Sequence, residues 1–276
     1  MSDGHSVNSY DARTVRYEYI HNISPSQFDA LVEAVITESP QRLLDIGCGY
    51  GAVTAEVLKR HGDSPMDITL TESSEVQLAR AMNELSASET LHNSTLHFRI
   101  DDIVTTRLEK EHFDMAIMKM VLHEVPLDDQ PRALRNILEV LKPGGCLILW
   151  EMALDEVTQS AVQNIVKRKD ELAGFNSMVA RRYFPKDEET VANLLSAGFI
   201  RVEKVADITS PVFTERRLHQ EFGGDKGKLK DWENYIRSVV GKANPSVAEA
   251  LKYRDVDEHI SFTPPKAIYK AFKPLG

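Results

Sequence analysis

The chain has 276 residues, with 33 Lys+Arg against 42 Asp+Glu, a formal net charge of −9 and a hydrophobic content of 42%. That balance suits a soluble chain with a sizeable core, at a length of one large domain or one domain with additions (~100–200 residues per domain). It disfavours a protein that grips nucleic acid through clustered Lys and Arg, and apolar runs such as Cys146–Trp150 fall far short of the ~20 residues of a membrane span.

Met1-Ser2-Asp3-Gly4-His5 lacks the layout of a secretory signal, and two cysteines cannot build a disulfide framework, so the expected location is the cytoplasm. Residues 1–40 read as a helical cap, with Phe28, Leu31, Val32, Val35 and Ile36 at helical spacing behind a start at Ser24-Pro25. From residue 41 short apolar runs alternate with amphipathic stretches. Strands are predicted at Arg42–Ile46, Asp67–Thr71, Leu96–Ile100, Asp114–Met118 and Cys146–Trp150. Helices are predicted at Ala52–His61, at Ser74–Leu85 and along a face carrying Leu134, Ile137, Leu138 and Leu141. Such units imply a doubly wound α/β architecture, a parallel sheet covered on both faces with right-handed crossovers.

Beyond residue 151 the alternation loosens. A long amphipathic helix runs through Val157, Ala161, Ile165 and Leu172, followed by the aromatic and basic segment Phe175–Pro185. A helix at Asp187–Ala197 and a strand at Phe199–Val205 come next, and Ala267–Phe272 forms the last strand. Residues 209–265 read as a polar, mostly helical insertion between those strands, too charged and too short to hold a core alone. The expectation is a single domain over 1–276, with a cap at 1–40, a cofactor-binding core at 41–150 and a helical acceptor region at 151–198.

The chemistry concentrates in Leu43-Leu44-Asp45-Ile46-Gly47-Cys48-Gly49-Tyr50-Gly51-Ala52. A buried strand runs into three glycines and straight into a helix, which lets backbone approach a ligand closely. The next strand ends in Glu72, a carboxylate suited to a pair of ribose hydroxyls. A dinucleotide and S-adenosylmethionine both use this layout. Asp45 decides between them, because its charge would repel a pyrophosphate but tolerates an ammonium and a sulfonium.

The stretch Asp45–Gly51 resembles the first motif of the class I S-adenosylmethionine-dependent methyltransferases, and further motifs follow in order. Phe98-Arg99-Ile100-Asp101-Asp102-Ile103, Phe113–Ile117, Leu122-His123-Glu124-Val125-Pro126, Leu141–Gly145 and Leu194–Phe199 are each similar to later family segments. The resemblance implies a Rossmann-like seven-stranded, mostly parallel sheet with the last strand antiparallel. It implies that Gly47, Gly49 and Gly51 cradle the methionine moiety, with Asp45 ordering the loop, and that Glu72 holds the ribose. It places Asp102, beside Ile103, on the adenine amino group, with Asp101 as the fallback. Backbone near Lys119 would face the methionine amine, and Tyr17 or Arg16 its carboxylate.

On the acceptor side the resemblance makes His123 the candidate general base and Met178, Arg182, Tyr183 and Phe184 the candidate acceptor-binding residues. Arg181-Arg182 hints at an anionic acceptor. Glu124 reads as a solvated or capping residue, Cys48 as a small turn residue and Cys146 as core. No His or Cys spacing suggests a metal site. The expected function is methylation of a small-molecule acceptor, with O or N favoured and C open, without nucleic-acid or membrane partners. A homodimer is kept open, and a protein acceptor or a non-catalytic donor-binding scaffold are the alternatives.

Overall fold

The computed structural model describes residues 25–61, 64–86, 93–241, 244–256 and 259–276. Tyr17 and Arg16, with the rest of the cap before residue 25, lie outside the described residues.

A 3-10 turn, Pro25–Phe28, leads into helix α1 (Asp29–Glu38), which ends on Ser39 in a left-handed conformation. The alternating units follow as β1 (Arg42–Ile46), α2 (Ala52–His61), β2 (Asp67–Glu72), α3 (Glu75–Ser86), β3 (Thr95–Ile100), β4 (Phe113–Lys119), α4 (Gln130–Val140) and β5 (Leu141–Met152). Then come α5 (Gln159–Ala173), α6 (Asn176–Arg181), α7 (Asp187–Ser196), β6 (Ile200–Ile208), β7 (Val212–Phe213), α8 (Arg217–Gln220), α9 (Lys226–Val239), α10 (Pro245–Ala250), β8 (Arg254–Val256), β9 (His259–Phe262) and β10 (Lys266–Phe272).

The main sheet has seven strands in the order β3-β2-β1-β4-β5-β10-β6. Strand β10 runs antiparallel to both of its neighbours, and the other pairings are parallel. Strand alternation divides the core. Leu43, Met115, Ile148 and Trp150 pack with α1, α2 and α3, whereas Leu44, Ala116, Leu147 and Leu149 pack with α4 and α7. Both faces are covered, which is why these strands read as continuous apolar runs.

The segment 209–265 departs from expectation. Besides helices it holds a small antiparallel sheet, β7-β9-β8. Its apolar residues, among them Trp232, Ile236, Val247 and Phe262, join Val162 and Ile165 of α5 and Phe184 in one core cluster. The indole N–H of Trp232 donates to the carbonyl of Ile165 at 2.9 Å, fastening α9 to α5. The block supplies most of this cluster and packs it against α5. Val157, expected on the buried face of that helix, precedes α5 and is exposed. Among the described residues no helix is long and apolar enough to cross a membrane.

Candidate active site

The parallel strands deliver their carboxyl ends to one edge, the edge where open α/β sheets bind ligands. A cavity of about 290 Å³ opens there, reached by the turn after β1, the ends of β2 to β5, and residues of α5, α6 and the 209–265 segment.

Its donor-facing half begins at Gly47 (φ 64°). A Cβ at that position would sit 2.5 Å from Val121 Cγ2, so only glycine lets the turn pack under the segment after β4. Gly51 (φ 78°) is similarly pressed against Leu85 of α3 and does not line the cavity; it shapes the turn from behind. Gly49 lines the cavity with open space before its Cα, and its N–H donates to Glu72 Oε2 at 3.1 Å. The other Glu72 oxygen accepts from the N–H groups of Ser73 and Ser74. Asp45 is 1% exposed and accepts from Thr54 Oγ1 at 2.7 Å. Burial pushes its pKa up to about 6, against the pull of Thr54 and Lys119.

Asp101 and Asp102 both line the cavity, and Ile103 is buried beside them. Asp101 accepts from Thr106 Oγ1 at 2.6 Å, and Asp102 from the N–H of Val104 at 2.9 Å. Lys119 Nζ lies 5.3 Å from the Trp150 ring and 5.5 Å from the Phe28 ring, a double cation–π seat at the end of β4. Burial raises the pKa of both thiols, Cys48 in the turn and Cys146 in the core, so neither is a reactive thiolate.

The other half of the cavity is built around His123. Its Nδ1 lies 2.8 and 3.0 Å from the two oxygens of Glu151, which is fully buried. Glu151 also accepts the backbone N–H groups of His123 and Met152. The imidazole stacks on Phe184, with centroids 4.7 Å apart, and its Nε2 faces Glu124 at 3.2 Å. Burial works against a charge on this ring, but Glu151 and Glu124 outweigh it and hold the pKa up at about 9. Glu124 is likewise desolvated, yet Arg182 and His123 keep it well below the usual carboxylate range.

Glu124 is therefore neither solvated nor a cap. Arg182 Nε bonds both of its oxygens, at 2.9 and 2.8 Å, while Nη1 reaches Asp170 at 3.1 and 2.8 Å. The pairing continues through Lys169, which contacts Asp170 and Glu221, to Arg217 on the far oxygen of Glu221. Of the expected acceptor residues, Arg182 and Phe184 line the cavity, although the Arg182 guanidinium is engaged by two carboxylates. Met178 and Tyr183 do not line it. The extended chain after α6 alternates faces, so Tyr183 turns outward and donates to Glu189 at 2.8 Å, and Met178 is fully buried one turn earlier.

Glu151, Lys169, Asp170, Arg217, Glu221 and Lys266 also belong to the site and were not anticipated. One of them carried a signal: Glu151 directly continues the most apolar strand of the chain. Among the described residues no group of three His, Cys, Asp or Glu side chains could hold a metal ion.

Residues 44–147 match a family model described as a methyltransferase domain. A carboxy-S-adenosyl-L-methionine synthase of Stutzerimonas stutzeri is 26% identical over 184 residues, covering 62% of this chain and 74% of that protein. An O-methyltransferase of Pyrenophora dematioidea is 30% identical over 117 residues, covering 42% of this chain and 41% of that one. The solved YcgJ protein of Bacillus subtilis superposes with a TM-score of 0.73 at 15% identity, over 92% of this chain and all of that one, and so shares the fold. Residues 44–147 are thus a methyltransferase domain, and the sheet around them has the Rossmann-like methyltransferase fold, consistent with a class I S-adenosylmethionine-dependent methyltransferase.

Proposed function

We propose that the protein methylates a small-molecule acceptor at an oxygen or carbon that must first lose a proton, with His123 as the base and Glu151 orienting it. The observation that carries this reading is the buried Nδ1–Glu151 contact at 2.8 Å, on a cavity shared with the glycine turn. A neutral amine acceptor needs no such base before attack, so the dyad favours O or C over N.

The residues present fit the donor. The open space before Gly49 admits a ligand where any Cβ would project, and Asp45 and Glu72 offer carboxylates to an ammonium and to ribose hydroxyls. In this reading Asp102 and Ile103 meet the adenine, Lys119 closes the methionine end, and Tyr17 belongs to the cap over it. When bound, S-adenosylmethionine supplies a methyl group already activated on a sulfonium.

The chain's own part is to bind, orient and move one proton. Val121 packs on Gly47, so the segment bearing His123 is registered against the donor turn. Glu151 fixes Nδ1 as the protonated nitrogen, which points Nε2 toward the acceptor space. At rest Nε2 faces Glu124 and the ring is charged at neutral pH. The acceptor must take the place of that contact, with Arg182 retaining Glu124, and the proton on Nε2 must first leave to solvent; the neutral ring then has a free electron pair on Nε2 to take the acceptor's proton. With the proton held on Nε2, the acceptor's freed electron pair would be available to the methyl group that a bound donor would supply, the bonding pair remaining on the donor's sulfur. Proximity and orientation supply much of the acceleration, roughly 7–11 kcal/mol in favourable cases.

The helical region 151–198 and the 209–265 segment form the acceptor's walls in this proposal, excluding water from the transfer. Calorimetry with S-adenosylhomocysteine tests the donor half: micromolar binding by the wild type, weakened in Glu72→Ala, is expected, and absence of binding would sink it.

A further inference from the structure

The chain Glu151–His123–Glu124–Arg182–Asp170–Lys169–Glu221–Arg217 alternates carboxylates and cations, four of each. Lys266 stands outside that balance. It opens β10, opposite Met152 in the register with β5, and is 4% exposed while lining the cavity. Its Nζ donates to Ser210 Oγ at 2.6 Å and to the Ser210 carbonyl at 3.3 Å. Among the described residues no carboxylate pairs with it. Glu151 acts on it only through space, while Arg217 and Lys119 repel it; burial and those repulsions bring its pKa down to about 7.

A buried ammonium without a counter-ion is costly and is ordinarily removed or matched. Arg181 adds to the imbalance, since its Nε is buried without a hydrogen-bond partner on the same cavity. Apart from the paired charges, the cavity on this side is lined by Val212, Trp232, Phe262 and Pro264. A buried cation held, among the described residues, only by a serine, on a cavity with an apolar wall, is complementary to an amphipathic anion.

We propose that Lys266, seated on Ser210, anchors a carboxylate of the methyl acceptor, so the acceptor class is an apolar small molecule bearing a carboxylic acid. This rests on the methyl-transfer reading and narrows it. The competing source of a carboxylate is the methionine end of the donor, and the experiment separates the two.

The probes are benzoate and its neutral analogue benzamide, titrated by calorimetry into the full chain saturated with S-adenosylhomocysteine. Wild type is expected to prefer benzoate by about tenfold. Lys266→Met should erase that preference by weakening benzoate alone, and Lys266→Arg should keep it. S-Adenosylhomocysteine affinity should be the same in all three proteins. Benzoate binding that is absent from wild type or unmoved by Lys266→Met overturns the proposal, as does a parallel loss of S-adenosylhomocysteine affinity, which would make the site the donor's own. A wild type that fails to bind S-adenosylhomocysteine at all overturns the donor reading instead, on which this one stands. A second readout needs no variant: after reductive methylation with carbon-13, the lowest-titrating lysine resonance should move to higher pH when benzoate is added. No movement contradicts the anchor.

Discussion

Nδ1 of His123 lies 2.8 Å from Oε1 of Glu151, although 28 residues separate them in the chain. The two are brought together because β4 and β5 are parallel neighbours, pairing Lys119 with Trp150, and each carries its functional residue just past the shared edge. Replacing either partner should cost methyl transfer without touching the donor. His123→Gln is expected to lower kcat about 100- to 1000-fold, the range for a lost general base. Glu151→Gln should lose somewhat less while leaving the ring in place. S-Adenosylhomocysteine affinity, measured alongside, should stay within about twofold in both.

The same contact makes stability depend on pH. The folded pKa of His123, about 9, lies above the ordinary value for histidine, about 6.5. Its stabilising contribution is complete below pH ~6.5 and is lost as pH rises through about 9, on the order of 3 kcal/mol. Lys266 works in the opposite sense, because its pKa is lowered to about 7 and folding grows more favourable above it. Subtracting the urea midpoints of His123→Gln from those of wild type isolates the histidine, and the difference should shrink between pH 7 and 9.

Donor binding should carry its own titration. Asp45 is held up at about 6 by burial, so below that pH it is protonated and loses its attraction for an ammonium. S-Adenosylhomocysteine affinity is expected to rise with pH through about 6 and then level off. Asp45→Asn should bind weakly and flatten that step, as read by calorimetry at several pH values.

Glu72→Ala removes a carboxylate held by three backbone N–H groups at the end of β2. The expected loss of donor affinity is ~1.5–3 kcal/mol, the range for a charged hydrogen bond. An unchanged dissociation constant would refute the ribose role.

Much of this molecule is legible in its sequence. The central strands β1, β2, β4 and β5 follow from buried apolar runs, the full seven-stranded order from the family resemblance, and β1 and α2 begin and end where periodicity and the glycine turn require. Strands β7 and β8 were not legible, being two and three residues long, with β8 fully exposed and without apolar alternation. The donor half was visible because each contributor sits in its own recognisable motif, the glycine turn, the acidic end of β2 and the acidic pair after β3. The charged network was not, because Arg182 meets Glu124 across 58 residues and Lys169 meets Glu221 across 52. Spacing cannot reveal that a pair of surface-like charges is buried together, so Glu124 read as solvated and Arg182 as open to an acceptor.

That burial has a measurable cost. Arg182→Met leaves Glu124 and Asp170 without their shared cation, and breaking a buried pair typically destabilises by 3–5 kcal/mol. Denaturant unfolding should show a loss of about that size, whereas an exposed control such as Arg168→Met, paired with Glu171 at the surface, should shift stability by less than about 1 kcal/mol.

The most direct measurement is transfer of label from methyl-labelled S-adenosylmethionine into a cell extract separated into low-mass and protein fractions. Wild type should label the low-mass fraction, and His123→Gln should do so about 100-fold more slowly at equal donor affinity. Label appearing in the protein fraction, or equal rates for the two enzymes, would contradict a small-molecule methyltransferase driven by the His123–Glu151 dyad.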